Sequence, residues 1–352
     1  MRWLPQGFLR SMRHCRTVCK LILRPGRQKR VRFNPILFPI ILGGFILVSL
    51  AAAPAPMSQQ PPTIDGIAQV RDVVSGFRGQ MGVAAINLRS GETIAIDADR
   101  RFPTASTIKT AVMIEAYQQA SEGTLRMDST IPLRDAEKVG GSGVLRDLHD
   151  GLELRVADLV RLMIVLSDNT ATNMLIARVG TARVNARLEA YGLRDTKLFR
   201  PTFRDGRSDV FPELEREFGL GMTTPREMAQ LMAIIAEGKA VDRQASESML
   251  GILRRQQDRA MIPRDLPGEG ILVGNKTGTD EEKHPDGNGI KRHVRADAAI
   301  VTGPDLSYVI AIYARQVEDR RWGIENDALV TGARVSRMIF DYFSNAKVRP
   351  DP

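Results

Sequence analysis

Apolar residues recur along this chain in two rhythms, and the change from one to the other outlines a fold. MGVAAINL (81–88) and ETIAID (92–97) are β-type runs joined by the turn residues Arg89-Ser90-Gly91, a hairpin signal. Three more β-type runs come near the C-terminus: ILVGNKTG (271–278), ADAAIVTG (296–303) and YVIAIYAR (308–315). One amphipathic helix is predicted ahead of the first pair, at about 65 to 78, and another after the last strand, at about 326 to 343. The roughly 170 residues between the strand groups carry mainly the helical period. The expected fold is α+β, with an antiparallel sheet of about five strands drawn from both chain ends, flanked by helices and carrying an all-helical subdomain as an insertion.

Charge changes the picture only at the N-terminus. Ten of the 50 Lys and Arg, and none of the 41 acids, fall within residues 1–35, which leaves forty bases against 41 acids and a net charge of −1 for the rest. The overall charge of +9 therefore belongs to a basic lead, and no groove for nucleic acid is implied. Residues 36–53 hold no charge over 18 positions, at the edge of what spans a bilayer. A basic flank before such a run stays cytoplasmic, so export is expected, with 36–53 acting as a signal-peptide core or as an uncleaved membrane anchor. Residues 54–64 (PAPMSQQPPTI) read as a Pro-rich linker, and 65–345 as the folded domain. A periplasmic monomer is expected, possessing no cofactor.

Cys15 and Cys19, the only two cysteines, lie in the basic lead. The domain therefore lacks a thiol nucleophile and thiolate ligands, and no metal pattern involves its histidines, which narrows the chemistry to oxygen nucleophiles. Ser106 opens an S-x-x-K tetrad ending at Lys109, followed by S-D-N at 167–169 and K-T-G at 276–278. A second S-x-x-K at Ser344 to Lys347 shows how little the tetrad means alone, but S-D-N and K-T-G each occur once. Helical spacing puts Lys109 one turn beyond Ser106, on the same face. A serine hydroxyl needs a neighbouring base, and a lysine buried beside other cations can be held neutral to act as one. Asp168 or Asn169 can cap the next helix, while Lys276 and Thr277 at a strand edge suit a substrate carboxylate and Gly278 permits close approach.

In these three motifs the chain resembles class A β-lactamases and related serine hydrolases of the penicillin-recognising superfamily. GGSGVL (140–145), ahead of S-D-N, and MTTP (222–225) extend the resemblance, which runs from about 65 to 345. It implies that Ser106 is acylated, that Ser167 relays a proton to the leaving group, and that Asn169 binds the substrate amide. The N–H groups of Ser106 and Thr279 would form the oxyanion hole. Arg295 is either a second cation for the substrate carboxylate or an exposed strand-end residue. The implied activity is opening of a β-lactam through an acyl-enzyme. The alternatives are a D-alanyl peptidase or other penicillin-binding hydrolase with slow deacylation, and a non-catalytic cell-wall receptor.

One departure stands out. The E-x-x-L-N motif, whose glutamate activates the deacylating water in class A enzymes, is absent from LFRPTFRDGRSDVFPELEREFGLGMTTP. One register places Phe211 at the glutamate position and another places Thr202 there. Glu213, Glu215, Glu217, Asp205 and Asp209 lie nearby, and either a displaced carboxylate, with Glu215 as the candidate, substitutes or all are solvated loop charges.

Overall fold

The computed structural model describes residues 66–206, 208 and 210–345. The basic lead, the apolar run 36–53, the linker and Asp209 lie outside the described residues, so the readings placed on them stay expectations.

Five strands form one antiparallel sheet: β1 (Gln80–Asn87), β2 (Thr93–Ile96), β3 (Leu272–Glu281), β4 (His293–Thr302) and β5 (Ser307–Val317), in the order β2-β1-β5-β4-β3. The hairpin expected at 89–91 is closed by Asn87, whose Oδ1 accepts from the N–H groups of Arg89 at 3.0 Å and Ser90 at 3.3 Å. Both chain ends meet in the middle of the sheet, where Gln80 pairs with Arg315 and Asn87 with Tyr308. β1 and β5 read as nearly continuous apolar runs because both faces of the sheet are covered. Alternate residues divide between the faces. Ala84, Val309, Ala311, Tyr313 and Ala298 enter one core, while Met81, Val83, Tyr308, Ile310 and Ile312 enter another with Val335, Ile339 and Phe343.

That second core is closed by α1 (Gly66–Ser75) and α9 (Asp327–Asn345). The first holds most of the helical insertion: α2 (Lys109–Ser121), α3 (Val156–Val165), α4 (Asn169–Val179), α5 (Thr181–Ala190), α7 (Pro225–Ala236) and α8 (Arg243–Leu253), while α6 (Pro212–Phe218) packs Leu214 and Phe218 into a third, smaller cluster with Phe199 and Met222. α2 is buried nearly all round, which is why its sequence has no clean polar face. Thr224, from the MTTP segment, caps α7 by accepting from Glu227 N at 3.2 Å, and Pro225 occupies the first turn where its missing N–H costs nothing. Among the described residues no helix is long and apolar enough to cross a membrane.

Candidate active site

Ser106 sits in a 3-10 turn, Ala105–Ile108, that runs directly into α2. Thr104 precedes the turn but its side chain makes no cap; the fixing is done elsewhere. Thr107 donates its hydroxyl to Thr104 O at 2.7 Å, so the 2.7 Å contact between Thr107 Oγ1 and Tyr313 Oη must use the tyrosine proton. The turn is thereby tied to the central strand β5. From the other side β3 presses on it: a Cβ at Gly278 would lie 2.8 Å from Thr104 O and 3.3 Å from Ser106 N. Gly278 thus makes room for the protein's own backbone, an addition to the expected approach of substrate. β3 also continues through Gly278 to Glu281 instead of ending at K-T-G.

Lys109 is fully buried, and its Nζ lies 2.8 Å from Ser167 O, 3.2 Å from Ser167 Oγ and 2.7 Å from Asn169 Oδ1. Lys276, equally buried, donates from Nζ to the same Ser167 Oγ at 3.1 Å. The S-D-N serine therefore bridges two lysines, one 58 residues before it in sequence and the other 109 after it. Ser167 has φ +56, and at this left-handed turn its carbonyl and hydroxyl both reach Lys109. Asp168 secures the turn: Oδ2 accepts from Val144 N at 2.7 Å and Leu145 N at 2.9 Å, and Oδ1 from Ala171 N at 2.9 Å. It is the cap of α4, while Asn169 begins the helix.

Neither lysine forms an ion pair with a carboxylate among the described residues, and burial acts on both. The Lys109 ammonium is pushed well below its ordinary value, first by loss of water and then by the Lys276 cation, with Asp168 pulling the other way. Lys276 is lowered to about 8, again by burial, against the pull of Asp258 and Asp297. Burial thus favours release of the proton by Lys109, which suits it to act as a proton acceptor, while Lys276 remains largely a cation at neutral pH.

Two cavities meet at Ser106, sharing Ser142 and Thr279. One, of about 220 Å³, also has Ser167, Thr277 and Asp258 on its wall. The other, of about 310 Å³, has Asn169, Arg200, Thr202, Phe203, Lys283 and Trp322. A larger cleft of about 520 Å³ around Glu217, Glu282 and Arg315 holds none of the motif residues, so volume alone does not mark the site.

The structure decides between the two registers. Thr202 lines the second cavity, its N–H and hydroxyl both donating to Asn173 Oδ1 at 2.8 and 2.9 Å while Asn173 Nδ2 donates back to Thr202 O at 3.0 Å. Phe211 instead packs on Phe199 at 5.7 Å in a small separate cluster. Glu215, the expected displaced base, lines neither cavity. It is buried with its Oε1 accepting from Arg200 Nε at 2.7 Å and Gly206 N at 2.8 Å, so it is neither a base nor a solvated charge but half of an ion pair that shapes the loop. Glu213 and Glu217 pair with Arg216 and Arg315.

Arg295 needs a correction as well. Its side chain is buried rather than exposed, lines neither cavity, and donates to Val294 O at 2.9 Å and Arg321 O at 3.3 Å. Its guanidinium carbon lies 4.9 Å from the ring centre of Trp322, a residue sequence reasoning passed over along with Phe203 and Arg200. Asn169 is where it was expected, but both ends of its amide are engaged within the protein, Oδ1 by Lys109 and Nδ2 by Gly140 O at 3.1 Å.

A serine on a fixed turn and, on the wall of the same cavity, a hydroxyl held between two buried lysines are groups that suit a serine enzyme of acyl transfer. Residues 67–343 match the model of the beta-lactamase enzyme family, and the chain belongs to that family. Among curated proteins, Beta-lactamase L2 of Stenotrophomonas maltophilia is 28% identical over 261 residues, 72% of this chain and 82% of that protein. A beta-lactamase from Sphaerobacter thermophilus is 33% identical with a TM-score of 0.67, covering 81% of this chain and 98% of its own. PBP-A is 28% identical at TM-score 0.66 over 81% of this chain and 98% of its own. A leucine-to-glutamate variant of PBP-A, solved as an acyl-enzyme complex with penicillin G, matches over all of its length with the same identity and score.

Proposed function

We propose that the protein is a class A-like serine β-lactamase that opens the lactam amide through an acyl-enzyme on Ser106. The observation that carries this is Ser167 Oγ, placed 3.2 Å from Lys109 Nζ and 3.1 Å from Lys276 Nζ. Neutral Lys109 takes the Ser106 proton as Oγ attacks the carbonyl. The N–H groups of Ser106 and Thr279 stabilise the oxyanion, each worth about 3 kcal/mol in sites of this kind. As the C–N bond breaks, Ser167 delivers its proton to the lactam nitrogen and is replenished from the lysine beside it. Lys276, with Thr277, holds the substrate carboxylate. The basic lead followed by 36–53 supports export, so that the domain works as a periplasmic monomer, anchored if the segment is retained.

One observation favours slow completion of the cycle. Thr202 lines the cavity beside Asn169, and a threonine hydroxyl is no base at neutral pH. The two carboxylates on the same wall, Asp205 and Asp280, are paired with Arg200 and Lys283. Neither of these two carboxylates is free to activate water, which supports a long-lived adduct.

Intact-mass measurement during incubation with benzylpenicillin tests both halves. The expected result is rapid addition of one penicillin, absent in Ser106→Ala, followed by slow return to the free mass and slow turnover of a chromogenic cephalosporin. Absence of any adduct and any turnover in the wild type would exclude the proposal.

A further inference from the structure

Phe203 and Trp322 are the two most exposed aromatic side chains among the described residues, each 58% exposed, and both lie on the wall of the same cavity. Leaving two large rings in water costs free energy that folding does not recover. Both are nevertheless held. Phe203 follows the clamped Thr202, sits at φ +53, and rests against Gly141, where a Cβ would come within 2.9 Å of its ring. Trp322 packs against His293, with ring centres 4.4 Å apart and planes inclined at 45°, and against the Arg295 guanidinium.

The cavity they share is the one containing Asn169, whereas Ser167, the proton donor to the departing nitrogen, lines the other. The leaving group therefore points into the first cavity and the substituent on the acyl side into the second. The floor of that second cavity is electrically matched, since Arg200 pairs with Asp205, and Lys283 with Asp205 at 3.8 Å and Asp280 at 3.7 Å. A charged substituent finds no unpaired partner there, while a flat apolar one finds two aromatic rings.

We propose that Phe203 and Trp322 form a specificity subsite for an aryl group on the acyl side chain of the substrate, making arylacetamido β-lactams the preferred class. This rests on acylation at Ser106. Acylation rate constants by intact mass for benzylpenicillin, which has a phenylacetyl group, and for 6-aminopenicillanic acid, which has none, give a preference ratio. That ratio is expected to fall at least tenfold in Phe203→Ala and in Trp322→Ala and to be largely restored in Trp322→Phe. Equal loss on both substrates, or a ratio unchanged in the alanine variants, overturns the subsite. So does a larger wild-type rate for a carboxylate-bearing side chain. If neither penicillin adds to the wild type, the Ser106 reading fails, and the subsite is judged by phenylacetylglycine binding in calorimetry, which the two alanine variants must weaken.

Discussion

Two regions of this molecule bury cations, and they treat them in opposite ways. Around Ser167, Lys109 and Lys276 are enclosed with hydroxyl, carbonyl and amide oxygens but no ion-paired carboxylate. In the segment from Phe199 to Leu220, buried Arg200 is matched by Glu215 and Asp205, and Arg315 nearby by Glu282 and Glu217. An unmatched buried lysine lowers its desolvation cost by giving up its proton more readily, which suits Lys109, pushed well down, to serve as a base, while Lys276, lowered only to about 8, stays largely charged at neutral pH. A matched buried arginine keeps its charge and becomes architecture. The acylating wall is thus chemically poised, while the wall that faces the acyl group is locked in ion pairs.

The largest effect is expected at Lys109. Lys109→Met should slow acylation by roughly 10³-fold with the fold intact, measured by intact mass and circular dichroism. Acylation within tenfold of wild type would mean that the unmatched lysine is not the base. Next, Glu215→Gln leaves Arg200 buried with a weakened partner and should cost about 3 kcal/mol, read as a lower melting temperature and urea midpoint, while Ser106 still acylates. A variant that is stable but unable to acylate would break the contrast by making Glu215 chemical.

Thr202→Glu places a carboxylate where the locked wall lacks a free one, and should raise the deacylation rate by about 10²-fold in the decay of the penicillin adduct. An unchanged decay would show that water attack is limited elsewhere. The smallest effect concerns pH. Lys276 is a cation below about 8 and neutral above it, so carboxylate binding is present below that pH and lost as pH rises through it. Acylation should therefore fall about tenfold per unit on the alkaline side. Lys109 has the opposite sign, active when neutral, and burial, which pushes its ammonium well down, moves its limb toward lower pH. A profile flat from pH 7 to 10 would contradict the division of roles.

Much of this was legible in the chain. Alternating and helical periods located the five strands and the helical insertion, because burial on one side of a strand or helix leaves a period in the sequence. Ser106, Lys109, Ser167 and Lys276 stood out because three motifs recur in fixed order. Glu215 and Arg295 were misread because a charged residue looks the same in sequence whether solvated, catalytic or buried in a pair. Trp322 and Phe203 left no signal, since single aromatics in irregular loops carry no period.

The sequence by itself determined the fold class and the absence of cysteine from the domain, and singled out Ser106 and Lys109 as candidate nucleophile and base, since each follows from local pattern or residue type. Only the tertiary structure decided that Thr202 rather than Phe211 faces the cavity, that Gly278 clears space for the Ser106 turn, and that the described carboxylates between Phe199 and Leu220 are spent on ion pairs. Those outcomes depend on which groups meet across tens or hundreds of residues, and electrostatic and steric contacts fall off over a few ångströms, so folding alone brings them within range.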